Sequence, residues 1–405
     1  MVTDTFRLLH SGDWHVTQGD RIDGQRDVLQ ALVRSGVEHE VDAFVVPGDL
    51  SGTTVPHEMT RRERDVLCDV IQTAANYAPF FIVRGNHDDP ADILLFRRLA
   101  ARHSITVLTH AERRIIGGRR DNLAHLHSLP YVTKRMLLAS AGSPYGVEAQ
   151  NIHAQALVEQ LLLSWRDIET SPVPGATPLP RIMLAHGNVG GSATAGGEKL
   201  IGREIDLMAT LLDQLQMDYI ALAHIHLAQD AGLFGRFPGS PYPVDFGETD
   251  PKGWLIVDVR RGMLPEVARV PSPAKPLVTI GARWGLVDDR WVWTWDKRPA
   301  NLEGHEVRVR LEVPDDAIAT CDFEAAEQLV RDAGAIAVKV DHKPIVTTRL
   351  RAGAILQART TAEKLKATFD AWGNIPEDAQ LRALARLEEL ETGEARALGE
   401  PDGTS

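Results

Sequence analysis

The sequence predicts a layered α/β domain, then a small α+β domain and a helical tail. Three observations carry that prediction. Short β-rich runs alternate with amphipathic stripes through roughly the first 260 residues, as strands alternate with helices in α/β folds. Pro271, Pro273 and Pro276 then interrupt the chain as a stiff linker. Beyond them, period-two strands give way to a heptad-like seam over about the last 50 residues.

Taken in order, strands are expected at Phe6–His10, Val41–Val46, Pro79–Val83, Ile105–Leu108, Leu123–Leu129, Met136–Ser140, Arg181–Ala185, Met217–Ala223 and Trp254–Val259. Helical stripes lie between them, at three- and four-residue steps. They are Val28, Leu29, Leu32 and Val33; Val66, Leu67, Val70 and Ile71; and Ile205, Met208, Leu211, Leu212 and Leu215. Pro172, Pro174, Pro178 and Pro180 mark an extended loop before the Arg181 strand. Past the linker, Trp291, Trp293 and Trp295 alternate on one strand, and Val307, Val309, Leu311 and Val313 on another. A helix near Phe323–Ala333 and a strand at Ala335–Val340 complete the small domain. In the tail, Ala362, Leu365, Phe369 and Trp372 form the seam; Gly373-Asn374 ends that helix and Pro376 opens the next. The tail after Gly399 is polar. The domains then run 1–270, 271–350 and 351–405.

The 405 residues are 43% hydrophobic and 25% charged, which excludes a wholly disordered or fibrous chain. Acidic side chains outnumber basic ones, 56 to 44, for a net charge of −12. That argues against coating nucleic acid by charge alone, while leaving room for a local basic groove. No apolar run reaches the roughly 18 residues of a membrane span. Met1 to Thr5 shows no secretory pattern. Cys68 and Cys321 are too few for a disulfide framework, as expected of a reducing cytoplasm.

The residues that carry chemistry follow predicted strands. They are Asp13-Trp14-His15, Gly48-Asp49, Gly85-Asn86-His87-Asp88, His186-Gly187 and His224-Ile225-His226. Sites in open α/β sheets form beyond the carboxyl ends of strands, so these distant loops are expected to converge. Carboxylates, imidazoles and one amide oxygen suit Mn, Fe or Zn without any thiolate. Two metals about 3.5–4 Å apart need a bridging ligand. Asp49 is the natural bridge, since Gly48 permits close backbone approach.

This ordered set resembles the calcineurin-like metallophosphoesterase superfamily. The segment Gly239-Ser240-Pro241-Tyr242-Pro243-Val244-Asp245-Phe246-Gly247-Glu248 with Lys252, together with Leu129-Pro130-Tyr131, resembles its SbcCD-type nuclease-subunit branch. The resemblance implies a four-layer α/β/β/α sandwich with a small α+β cap and a C-terminal helical tail. It implies one metal on Asp13, His15, Asp49 and His226, and a second on Asp49, Asn86, His186 and His224. His87 would stay free of metal, steadying the transition state or protonating the leaving oxygen. It further implies two divalent ions, Mn2+ foremost, and hydrolysis of DNA from ends and at single strands or hairpins. The partner would be an SMC-like ATPase, in a dimer of heterodimers acting in DNA repair or recombination. No phosphate-cradling G-x-x-x-x-G-K-[ST] loop occurs, so an ATP-driven step needs another chain. The alternative is a stand-alone phosphoesterase for nucleotides or other small esters. Two positions depart from the family pattern: Ala223 stands where glycine is usual, and Gly52 where an acid or histidine is usual.

Other features admit plainer readings. His125 and His127 repeat the H-x-H spacing inside an apolar run, and read as sheet residues. Arg97, Arg98, Arg102, Arg113, Arg114, Arg119 and Arg120 face only Glu112 between residues 97 and 120. They form either a solvated face or a patch tracking DNA phosphates. The tryptophans at 284, 291, 293 and 295 read as core or interface rather than base-stacking platforms. The seam with Leu365, Phe369 and Trp372 either docks on its own domain or, as the resemblance implies, is the surface for the ATPase partner.

Overall fold

The computed structural model describes residues 5–17, 19, 21–52, 58–133, 137–138, 147–166, 178–194, 205–288, 290–315, 317–345, 355, 357–372 and 375–397. The chain divides into two compact units. The first comprises Met1–Thr279, Ala300–Arg308 and Val330–Lys339; the second comprises Ile280–Pro299, Val309–Leu329 and Val340–Ser405.

In chain order the first elements are β1 (Phe6–His10), α1 (Ile22–Glu38), β2 (Ala43–Val46), α2 (Arg61–Ala75), β3 (Phe80–Val83) and α3 (Pro90–Leu94). Then come β4 (Ile105–Leu108), β5 (Glu112–Gly117), β6 (Leu123–Leu129), α4 (Val147–Leu163), β7 (Arg181–His186), β8 (Asn188–Val189) and β9 (Asp206–Leu207). Next are α5 (Ala209–Gln214), β10 (Tyr219–Ala223), β11 (Gln229–Ala231), β12 (Gly235–Phe237), β13 (Gly253–Val259) and β14 (Glu266–Pro271). Two six-stranded sheets result, ordered β14-β13-β1-β2-β3-β4 and β11-β12-β10-β7-β6-β5. The strands β1 to β4 are mutually parallel, as are β6, β7 and β10.

Alternation along these strands builds the layers. Phe6, Leu8, Ala43, Val45, Phe81 and Val83 share one cluster with Leu126, Ile182, Leu184, Tyr219 and Ala221, so this face of each sheet packs on the other. Their neighbours Leu9, Phe44, Val46 and Ile82 turn instead to the predicted stripes of α1 and α2. Met183, Ala185, Ile220 and Leu222 likewise meet Val158 and Leu162 of α4 and Leu212 of α5. The result is the four-layer α/β/β/α sandwich. Strands covered on both faces are apolar at nearly every position, which is why they were legible.

Local chemistry fixes the helix starts. Thr60 and Glu63 make both bonds of a capping box on α2. Asp89 caps α3 ahead of Pro90 at its first position.

After β14 come β15 (Val278–Val287), β16 (Arg290–Trp295), β17 (Glu306–Pro314), α6 (Phe323–Asp332), β18 (Ala337–Ile345), α7 (Thr361–Trp372) and α8 (Glu377–Ala397). The four strands form a sheet ordered β16-β15-β17-β18. Val307, Val309, Leu311 and Val313 are fully buried along β17, and Trp284 is buried on β15. Trp291 is 40% exposed, so the tryptophan row is not all core.

Several expectations are corrected. Leu137 and Leu138, the described part of Met136–Ser140, are helical; Leu137 N–H donates to Thr133 O. The stripe from Ile205 becomes helical only at Ala209, because Asp206–Leu207 pairs as a strand with Asn188–Val189. Strand β5 was hidden in the arginine run: at a sheet edge it buries only Ile116. Gly373-Asn374, Pro172, Pro174 and the residues after Gly399 lie outside the described residues.

Candidate metal centre

The loops after β1 and β2 are stitched together by their backbones, and the loop after β3 joins them where His87 N–H donates to Asp49 Oδ1 at 2.9 Å. Asp13 N–H donates to Gly48 O, His15 N–H to Asp49 O and Val16 N–H to Leu50 O, at 3.0–3.1 Å. The second sheet joins at the same end. His224 N–H reaches both Asp13 carboxylate oxygens, at 2.9 and 3.1 Å, and His186 Nδ1 donates to Pro47 O at 2.7 Å. All seven expected ligands therefore meet at the carboxyl ends of parallel strands.

Close approach needs glycine at two positions. A Cβ on Gly48, whose φ is +105°, would stand 2.6 Å from His186 Nδ1; one on Gly85 would stand 2.5 Å from Asp49 N. Asp13, His15, Asp49 and His224 themselves hold positive φ, from 42° to 107°. Each such residue costs about 1–3 kcal/mol, and the inter-loop bonds hold it there. Asp and His are among the types that enter this region most readily.

The donors form overlapping groups. Ligand atoms of Asp13, His15 and His226 lie within 4.8 Å of one another, and so do those of Asp49, His186 and His224. Asp49 faces both: its Oδ2 lies 3.3 Å from His186 Nε2 and 3.7 Å from His15 Nε2. Asn86 Oδ1 lies 2.8 Å from His186 Nε2 and 3.0 Å from His224 Nδ1. His87 stands beside them, its Nε2 3.9 Å from Asp49 Oδ2 and its side chain 15% exposed. Its donor atom also falls within a group with His15 and Asp49.

The imidazole tautomers test whether cations fit. His15 Nδ1 meets Gly52 O at 2.5 Å, His186 Nδ1 meets Pro47 O, and His226 Nδ1 meets Glu248 Oε1 at 2.7 Å. These partners only accept, so each Nδ1 carries a proton, and in the neutral ring each Nε2 offers a lone pair. The Nε2 atoms of His15 and His226 lie 3.1 Å apart. With both rings neutral, two lone pairs face one another beside the Asp13 and Asp49 carboxylates, a repulsion that a cation relieves. The donor set fits divalent metals of mixed N/O preference.

Sequence reasoning gave no role to the residues behind the expected ligands. Asp88, fully buried, accepts from Asp49 N–H, Leu50 N–H and Gly85 N–H at 2.8–2.9 Å. Burial, then the Asp49 charge, pushes its pKa up to about 6. Gln25 grips the first loop, donating to His15 O and accepting from Thr17 N–H. The two departures are accommodated. Gly52 contributes its carbonyl to His15; Ala223 is not among the positive-φ residues, and its Cβ has room because position 12 is glycine, where a Cβ would stand 2.6 Å from it.

The arginine run is not one patch. Arg120 donates to both oxygens of buried Asp42, at 2.6 and 2.7 Å, and Arg119 lies 4.7 Å over the Tyr77 ring. Asp42 precedes β2 whereas Asp49 follows it, so roughly 13 Å of strand separates these two arginines from the centre. Arg114 pairs with Glu112, while Arg97, Arg98 and Arg113 are exposed. His127 is buried in β6 against Trp165, outside every donor group among the described residues, and His125 pairs with Arg181 in the same sheet. In the tail, Phe369 is buried, Leu365 half-buried and Trp372 63% exposed. No helix among the described residues is long and apolar enough to cross a membrane.

The profile of the calcineurin-like phosphoesterase family matches residues 6–228. The chain is 28% identical over 294 residues to the SbcD subunit of nuclease SbcCD from Escherichia coli K12, covering 68% of this chain and 70% of that protein. It is 26% identical over 310 residues to the protein of the same name in Bacillus subtilis 168, covering 71% and 75%. Among solved structures, the GAP50 anchor of the Plasmodium inner membrane complex covers 83% of this chain and 96% of its own, at 12% identity and a TM-score of 0.41. That overlay is too loose to bear on function.

Proposed function

Because the chain belongs to the calcineurin-like phosphoesterase family, we propose that it is a DNA nuclease with a two-metal centre, the nuclease subunit of an SbcCD-like repair and recombination complex. The observation that carries this reading is the single Asp49 Oδ2, which faces donor groups on both sides at 3.3 and 3.7 Å. Asp13, His15, Asp49 and His226 would hold one cation, and Asp49, Asn86, His186 and His224 the other, with Mn2+ the preferred ion. Bound there, two divalent ions supply an acidified water and charge stabilisation on the phosphate oxygens.

The chain's own groups do the rest. His87, next to the shared carboxylate and open to solvent on one side, gives a proton to the leaving oxygen. Asp88 keeps the loop bearing Asp49 in register with the loop bearing His87. Exposed Arg97 and Arg98 contact DNA backbone, and α7 with α8 docks on a cytoplasmic SMC-like ATPase. Activity then runs from duplex ends and at single strands or hairpins, within a dimer of heterodimers. Support comes from the names and coverage of the curated relatives together with the shared-carboxylate geometry.

The test compares Mn2+-reconstituted protein, with and without the ATPase partner, on end-labelled duplex DNA, a hairpin, a small phosphodiester and a small phosphomonoester. DNA cleavage that requires the metal supports the reading. Monoester preference with inert DNA would replace it by a stand-alone small-ester phosphoesterase.

A further inference from the structure

The segment that follows β12 carries two buried charged residues with no part in the chemistry so far. Glu248 is 6% exposed and Lys252 is 7% exposed. Glu248 Oε2 accepts three bonds: from Lys252 Nζ at 2.6 Å, Val244 N–H at 3.1 Å and Ser240 Oγ at 3.3 Å. Its other oxygen, Oε1, is thereby fixed on His226 Nδ1 at 2.7 Å. Lys252 Nζ also donates to His226 O at 3.1 Å, tying the ligand's backbone to the carboxylate that holds its ring. The other two Nδ1 atoms oriented in this way rest on neutral backbone carbonyls.

We propose that Glu248, anchored by Lys252, is a positioning residue that fixes His226 in the tautomer offering Nε2 to one of the two metals. The inference rests on the two-metal reading above. Its physical basis is polarity rather than shape. A carboxylate can only accept, so it forces the proton onto Nδ1 and leaves Nε2 free. Because three donors surround Oε2, a glutamine at 248 would turn its amide oxygen toward them. Its NH2 would then face His226 Nδ1, demand an acceptor there, and move the ring proton to Nε2. The isosteric change is therefore expected to be damaging, which a packing role would not require.

The experiment titrates Mn2+ into metal-stripped full-length protein by calorimetry and counts retained ions by elemental analysis. The proteins are wild type, Glu248→Gln and Glu248→Ala, with ¹⁵N-histidine spectra reporting the tautomer. Wild type is expected to hold two ions. Glu248→Gln is expected to stay folded, since Asp250 Oδ2 still lies 3.2 Å from Lys252 Nζ, and to keep one ion tightly while binding the second about 10–100-fold more weakly. Its His226 proton should sit on Nε2. Should Glu248→Ala fail to fold, Glu248→Gln alone decides the matter. Two ions bound as tightly in Glu248→Gln as in wild type, or equal weakening at both positions, would overturn the inference. A wild type that binds one ion or none would sink the two-metal reading instead, and the inference with it.

Discussion

Gly85 lies against Asp49 so closely that a Cβ at position 85 would stand 2.5 Å from the Asp49 amide nitrogen and closer still to its Oδ1. Gly85→Ala therefore has to displace the carboxylate that both donor groups share. The expected outcome is a stability loss of about 1–3 kcal/mol, typical of forced overpacking, with bound Mn2+ falling below two per chain. Urea denaturation and elemental analysis measure the two effects separately. Full metal content in Gly85→Ala would mean that Asp49 is not held by this contact.

Asp49 and His87 are adjacent, yet their substitution should divide metal binding from turnover. Asp49→Asn removes the shared charge, so both ions weaken and cleavage falls about a thousandfold or more. His87→Ala should keep both ions and lose about 10²–10⁴-fold in turnover, the range for a general acid. Metal content of the two variants decides. Loss of an ion in His87→Ala would make that imidazole a ligand, as its place in a group with His15 and Asp49 allows.

Much of this site could be read from the chain, for a definite reason. The expected ligands cluster in short motifs, and strands buried on both faces announce themselves as apolar runs. The roles that escaped notice act at a distance. Asp88 bonds amides 38 and 39 positions earlier, which no local pattern displays. Glu248 and Lys252 were visible only as family markers, because their effect depends on His226 lying above them in space. Arg119 and Arg120 could be read as a solvated face or as part of a phosphate-tracking patch until the fold placed buried Asp42 beneath Arg120. The Asp206–Leu207 strand was lost inside a helical stripe, since a two-residue pairing leaves no period to detect.

The C-terminal seam mixes buried and exposed rings along one helix. Phe369 is buried and Trp372 is 63% exposed, although both belong to the same apolar stripe. Phe369→Ala should cost about 3–5 kcal/mol of stability, as loss of a buried aromatic ring does. Trp372→Ala should change stability by no more than about 0.5 kcal/mol and reduce retention of the ATPase partner. Thermal melts paired with co-purification read both quantities. Undiminished co-purification of Trp372→Ala would exclude that ring from the docking surface.

His127 offers a prediction of opposite sense in acid. It is 2% exposed, and its Nδ1 has no hydrogen-bond partner among the described residues. Burial, then the charges of Arg181, His125 and Arg113, brings its pKa down from 6.5 to about 3. Between those values the unfolded chain binds a proton at this position and the folded chain does not. Wild-type stability at His127 is thus whole above pH 6.5 and drains away as pH falls toward 3, by about 1.4 kcal/mol per unit. His127→Leu removes the titrating group, and it leaves no polar atom to satisfy. Relative to wild type the variant should be similar at pH 7.5 and more stable by about 2 kcal/mol at pH 5. Urea midpoints across that range measure the gap; one that fails to widen in acid would mean that this imidazole is protonated in the folded protein.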